Sequence, residues 1–126
     1  MAKASIPGRF RHSFIGETTQ QAADDFYPGY AHMFTEIGKE RGWPATTRAQ
    51  FDATRGPTGA LLIGDAETVV EKVLRIHHHL GGIARLSFQM TTVSVPHRKI
   101  MKAIELLGTR VAPLVRKAIV PTARAA

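Results

Sequence analysis

The residues best equipped for chemistry in this chain are His12, near its start, and an alternating run further on, Arg85-Leu86-Ser87-Phe88-Gln89-Met90. An imidazole titrates near neutral pH, so His12 can move a proton or bond a ligand; the same ring also serves as an ordinary structural group. In an extended segment Leu86, Phe88 and Met90 share one face, and Arg85, Ser87 and Gln89 share the other. Gln89 can bond a ligand carbonyl or amide, or fill an interior as a polar spacer. Arg85 can meet an anionic ligand or pair with a carboxylate of a partner chain. His77-His78-His79 suggests a metal, but neighbouring helix positions diverge by ~100°, so three consecutive rings do not converge on one ion and no metal site is assigned. The stretch GPTGALLIGDAE lacks both the Gly-Lys-Ser/Thr ending of a phosphate loop and the three-glycine dinucleotide fingerprint. Asp65 and Glu67 would also repel an anion from the helix start that follows. No serine sits in a nucleophile elbow, and no residue is assigned a catalytic role. Phe26, Tyr27, Tyr30 and Trp43 are expected to pack together around the first helix.

These residues need elements to hold them. Residues 9–15 read as a strand ending at Gly16, followed by a helix capped by Thr18 or Thr19 and running to Lys39–Arg41. Pro28-Gly29 predicts a kink or break within it, and Ala31, Phe34, Ile37 and Gly38 a stripe beyond. Residues 42–59 form a long connection with one helical turn around Thr47 to Ala53. Residues 60–64 are a continuous apolar run suited to a strand covered on both faces. Asp65 caps the next helix, whose buried stripe is Val69, Val73, Ile76 and Leu80, widened by Val70 and Leu74, and which stops at Gly81-Gly82. Residues 83–90 are the third strand, with Leu86, Phe88 and Met90 in the core. After the loop 91–97, in which Ser94 is a candidate cap, comes a last helix with the stripe Ile100, Ile104, Leu107 and Val111, bent or restarted at Pro113.

Alternating strands and helices with short joints predict parallel strands and right-handed crossovers. The expected fold is therefore α/β, with three parallel β/α units in a single domain spanning 1–126, a core at 9–119, and loose termini at 1–8 and 120–126. Helices are expected on one side of the sheet, leaving the side of Arg85, Ser87 and Gln89 wet or turned to a ligand or partner. Such a face, or a bare sheet edge, invites pairing, most simply as a two-fold dimer.

Composition narrows the classes. There are 126 residues, enough for a core without staples, and no cysteine, which excludes disulfides and thiolate metal sites and suits a cytoplasmic protein. No apolar run approaches the ~18 residues of a membrane span, and the opening MAKASIPGRF lacks the apolar core of a secretory signal. The net charge of +7 favours phosphate-bearing partners. Its basic residues, among them Arg9, Arg11, Arg98, Lys99, Lys102 and Arg110, have no interleaved aromatic platforms, so nucleic acid is not the expected partner.

Several motifs taken together resemble a known family. Gly64-Asp65-Ala66-Glu67, Val70-Glu71-Lys72-Val73, Leu80-Gly81 and Gly108-Thr109-Arg110-Val111-Ala112-Pro113 follow one another as in the C-terminal end of the bacterial luciferase-like, flavin-dependent monooxygenases. HSFIGET and the later FYPGY are similar to the sixth strand and following helix of that family, so the likeness covers about 9–119. Ala66 stands where the family usually has proline. The resemblance implies that the three units are like the last part of a TIM (β/α)8 barrel, incomplete as a single chain, since a closed barrel takes ~250 residues. It implies an FMN- or deazaflavin-dependent oxidoreductase acting with molecular oxygen, weakly active or without a cofactor when alone. It also implies completion by self-association or by a second, barrel-completing chain. His12, Arg85, Ser87 and Gln89 would be its cofactor-side residues, on inward faces or strand ends. The alternative is a non-catalytic barrel remnant, a self-associating module that binds a small molecule or a protein.

Overall fold

The computed structural model describes residues 9–90 and 94–125. The order is β1 (Arg9–Ile15), α1 (Thr19–Arg41), α2 (Arg48–Thr54), β2 (Leu62–Gly64), α3 (Ala66–His79), β3 (Leu86–Gln89) and α4 (His97–Leu106). A π-helical turn over Leu107–Val111 then leads into α5 (Ala112–Ala125). The three strands form one open parallel sheet in the order β2-β1-β3. Ser13 pairs with Leu62 on one side of β1, and His12 pairs with Gln89 on the other.

Local chemistry explains the helix ends. Thr18 caps α1 by accepting from the Gln21 amide, and Gly42 ends it with φ of 71°. Thr47 and Gln50 form a reciprocal capping box on α2. The Asp65 carboxylate accepts from the Thr68 amide at the start of α3. That bond, with the Thr68 and Thr19 hydroxyls nearby and Arg110 beyond, holds the Asp65 carboxyl below the usual aspartate range. Helix α1 is not broken at Pro28. Phe26 and Tyr30, on either side of the proline, pack on the sheet and on each other at 6.1 Å, which offsets the single missing amide. At the other end of the chain Pro113 has no N–H to offer Thr109, and the Ala112 amide reaches back five residues to Leu107 O. The expected restart thus takes the form of a π turn, and α5 continues to Ala125.

The strand order decides how the sheet is covered. The crossover through α1 carries the chain from β1 to β2 on one side, and the crossover through α3 carries it back past β1 to β3. Two right-handed crossovers in opposite directions put their helices on opposite faces. Accordingly Phe14 stacks on Phe26 of α1 at 5.8 Å, while Arg11, one face over, borders a cavity with Arg75 and Ile76 of α3. Leu86 and Phe88 meet Val73 of α3 and Leu107, Val111 and Val115 beyond α4. The expectation of helices on one side only therefore does not hold for β1, which is covered front and back. A bare face survives at β3, where Ser87 and Gln89 are exposed.

Other expectations are corrected by specific bonds. Strand β2 starts at Leu62 rather than 60, because the Leu61 amide bonds Thr54 O and the Leu61 carbonyl is taken by Lys72. Strand β3 starts at Leu86 rather than 83, because the Ile83 amide is tied to His77 Nδ1 at 3.2 Å. Pro96, with no side-chain bond, is the N-cap of α4 in place of Ser94. Ile100, Leu107 and Val111 of the expected stripe pack against the core, but Ile104 is 47% exposed and Ala103 is buried in its place. Residues 91–93 of the preceding loop lie outside those described. Leu86 is only half-buried, so Leu86→Ala is expected to cost about 1–2 kcal/mol, below the ~2–5 kcal/mol of a full core deletion. Urea melts of the two proteins measure the difference; a loss above that range would mean Leu86 is enclosed.

Candidate functional site

Two arrangements bring chemistry-bearing side chains together. The first is on the α1 side of the sheet. His12 and Gln89 are register partners on neighbouring strands, and Ser87 lies two residues along on the same face. The His12 ring meets Tyr30 and Phe34 edge-on, with centroids at 6.0 and 5.5 Å. This surround lowers the His12 pKa through burial, which disfavours the imidazolium, so the ring is neutral at physiological pH. A neutral imidazole, an amide and a hydroxyl can together bond the polar edge of a flat ligand. Arg85 does not join them. It precedes β3 and borders a different hollow with Val115 and Arg116. Of the three histidines, His77 accepts the Ile83 amide at Nδ1, and His78 and His79 are exposed.

The second arrangement lies on the α3 side. Lys72 sits in the apolar stripe of α3 between Val69 and Val73 and is 4% exposed. Its Nζ donates to Gly56 O at 2.7 Å, to Arg55 O at 3.2 Å and to Leu61 O. Three donors meet three carbonyls, so one ammonium clasps the 55–61 loop onto α3. Burial, with Arg11, Arg55 and Arg75 close by, pushes the Lys72 pKa down to about 8. The carbonyl cage leaves the ammonium no free N–H, which makes Lys72 a structural clasp and not a nucleophile.

Two adjoining cavities follow from the clasp. One, of about 440 Å³, lies between the loop and the last turns of α3, with Arg11, Arg75 and His79 among its polar groups. The other, of about 350 Å³, is bordered by Arg55, Lys72, Arg75, Thr68 and Glu71. Arg55 is paired with Asp52 at 2.8 Å, whereas Arg75 makes no ion pair or hydrogen bond among the described residues. Helix α3 begins at the carboxyl ends of the strands and runs back, so the first cavity, with His79 and Leu80, lies towards their amino ends, while the second, with Thr19 and Thr68, reaches their carboxyl ends.

Sequence reasoning missed this second cluster. A lysine within an apolar helical stripe reads as a side chain that snorkels to water, and nothing local says that a loop folds over it. The one available signal was the alternation of β1, which puts Arg11 on the face opposite His12 and Phe14. No protein-family model matches the chain, and no curated protein matches it.

Proposed function

We propose that this chain belongs with the luciferase-like, flavin-dependent oxidoreductases that act with molecular oxygen, and that it is an incomplete or weakly active piece when alone. The observation that carries this reading is the run of motifs, in order, over three successive parallel β/α units, with motif residues doing backbone work. A Cβ at Gly64 would come within 2.9 Å of Thr68 Cγ2, Asp65 caps α3, Lys72 clasps the loop before β2, and Pro113 sets the π turn. The strand order β2-β1-β3 differs from the sequential order of a barrel arc, so the barrel part of the proposal rests on the motifs alone.

A flavin or deazaflavin would supply hydride transfer or oxygen chemistry that no side chain here provides. His12, Ser87 and Gln89 suit one polar edge of such a ring. They do not complete a site, since Ser87 and Gln89 are exposed. No catalytic step is assigned to these residues.

A second reading, a non-catalytic binding module, is favoured by one feature: Phe14, Phe26 and Phe51 are each at most 1% exposed, a core that stands on its own. Titration of FMN and of a deazaflavin, followed by fluorescence quenching, separates the two. The flavin reading expects weak saturation at roughly 100 µM or above, weakened further by His12→Ala and Gln89→Ala. Sub-micromolar binding would show the site to be complete. Quenching indifferent to both substitutions would favour the module.

A further inference from the structure

Helix α5 packs along α3 and stands off β3, so a groove is left between the strand and the two helices. One part of it, of about 280 Å³, has Ile83, Leu86, Val115 and Ile119 as an apolar wall and the exposed Arg85 and Arg116 at its rim. A second part, of about 160 Å³, continues it along Leu86 and Phe88 and shares Arg116. His77 borders the first part as well. Its Nδ1 accepts the Ile83 amide, so the neutral ring carries its proton on Nε2 and adds a donor. No carboxylate borders either part. The sequence explains that shortage, since Glu105 alone of the acidic residues follows Glu71. Lys99, Lys102 and Arg110 reach back to the first half of the chain, to Asp25, Glu17 and Glu67, for their partners. Arg85 and Arg116 reach none: they make no ion pair, hydrogen bond or ring contact among the described residues. Two guanidiniums on one rim repel each other until an anion sits between them.

We propose that this groove binds a monoanionic organic acid with an apolar body of about two rings. The carboxylate sits between the guanidiniums of Arg85 and Arg116, and the body lies against Leu86 and Val115. A guanidinium matches a carboxylate in paired hydrogen bonds. A dianion suits the groove less well, because most of the wall is apolar and a second charge would give up its hydration without a further cation to meet it. Leu86 and Val115 are only half-buried, so each has apolar surface that a ligand removes from water. The proposal is independent of the flavin reading: Leu86 and the groove lie on the face of β3 opposite Ser87 and Gln89, and none of the residues facing the flavin ring is shared.

Naphthoate is the probe, titrated into the isotope-labelled chain and followed by amide chemical shifts. Saturable shifts are expected at Ile83, Leu86 and Val115, half complete at roughly 1 mM or below. Arg85→Glu and Arg116→Glu, on different elements, should each weaken binding by roughly tenfold or more. The same charge change at Arg98 on α4, which borders neither part of the groove, should weaken it less than about twofold. All three arginines are exposed, so the fold should survive their replacement, and unchanged far-ultraviolet circular dichroism checks this. Should one of the two groove variants lose its structure, the other decides. Naphthamide should bind more weakly for want of the charge, acetate for want of the apolar body, and naphthyl phosphate no more tightly than naphthoate. Four outcomes overturn the proposal: no shifts at those amides by about 10 mM, losses in the groove variants no larger than that of Arg98→Glu, equal affinity for naphthamide or acetate, or tighter binding of naphthyl phosphate.

Discussion

Replacing Lys72 by methionine is expected to destabilise the fold by about 3 kcal/mol, although methionine fills a similar volume in an apolar stripe. The loss has a definite origin. The carbonyls of Arg55, Gly56 and Leu61 share one ammonium, and without it three acceptors beneath the loop lose their donor. The gain from no longer burying a charge offsets part of this cost but not the three orphaned oxygens. The effect also has a pH signature. Lys72 titrates near 8 in the folded chain against 10.5 for an unhindered lysine. Between those values the unfolded chain holds the proton that the folded chain has released, so stability rises with pH through the window. That contribution, up to about 3 kcal/mol, is complete above pH 10.5 and lost as the pH falls through 8. The neutral amine still donates two bonds to the cage. Chemical denaturation of wild type and Lys72→Met at several pH values measures both effects. A difference that does not widen from pH 8 to 10.5 would refute the assignment.

Gly59→Ala is expected to be at least as damaging, about 3 kcal/mol or more, and by a different route. A Cβ at this position would lie 1.8 Å from the Thr54 carbonyl oxygen and 2.4 Å from its carbon. Both are backbone atoms at the end of α2, and neither can rotate aside. The loop would have to lift, and with it the Leu61 amide bonded to Thr54 O and the carbonyls on Lys72. The two substitutions strain one assembly, so the double variant should lose less than the sum of the single losses. Melting temperatures of the three variants test this; full additivity would mean that the loop and the clasp are energetically separate.

The parts of this molecule that were legible in its sequence are those settled by neighbours in the chain. Thr18, Thr47 and Asp65 each precede a helical pattern and each caps it. Gly81 and Gly82 end α3 with φ of 72° and 114°, as glycines can. The choice of partner for β3 was not legible, because either edge of the preceding pair suits a right-handed crossover and no residue of 83–90 names one. From that choice came the covering of β1 on both faces, whereas Arg85 parted from Ser87 and Gln89 because β3 starts only after it. The Lys72 clasp was illegible for a related reason: its acceptors are backbone carbonyls, which leave no mark on residue identity.

The seating of β3 beside β1 has a consequence for any larger assembly. A polypeptide that closed a parallel ring around this chain would want β1, β2 and β3 consecutive, yet β3 already occupies the free flank of β1 through four residue pairs. Recruitment would then be an exchange reaction and not an addition. Its rate would level off at high concentrations of the incoming chain, limited by how often β3 unzips by itself.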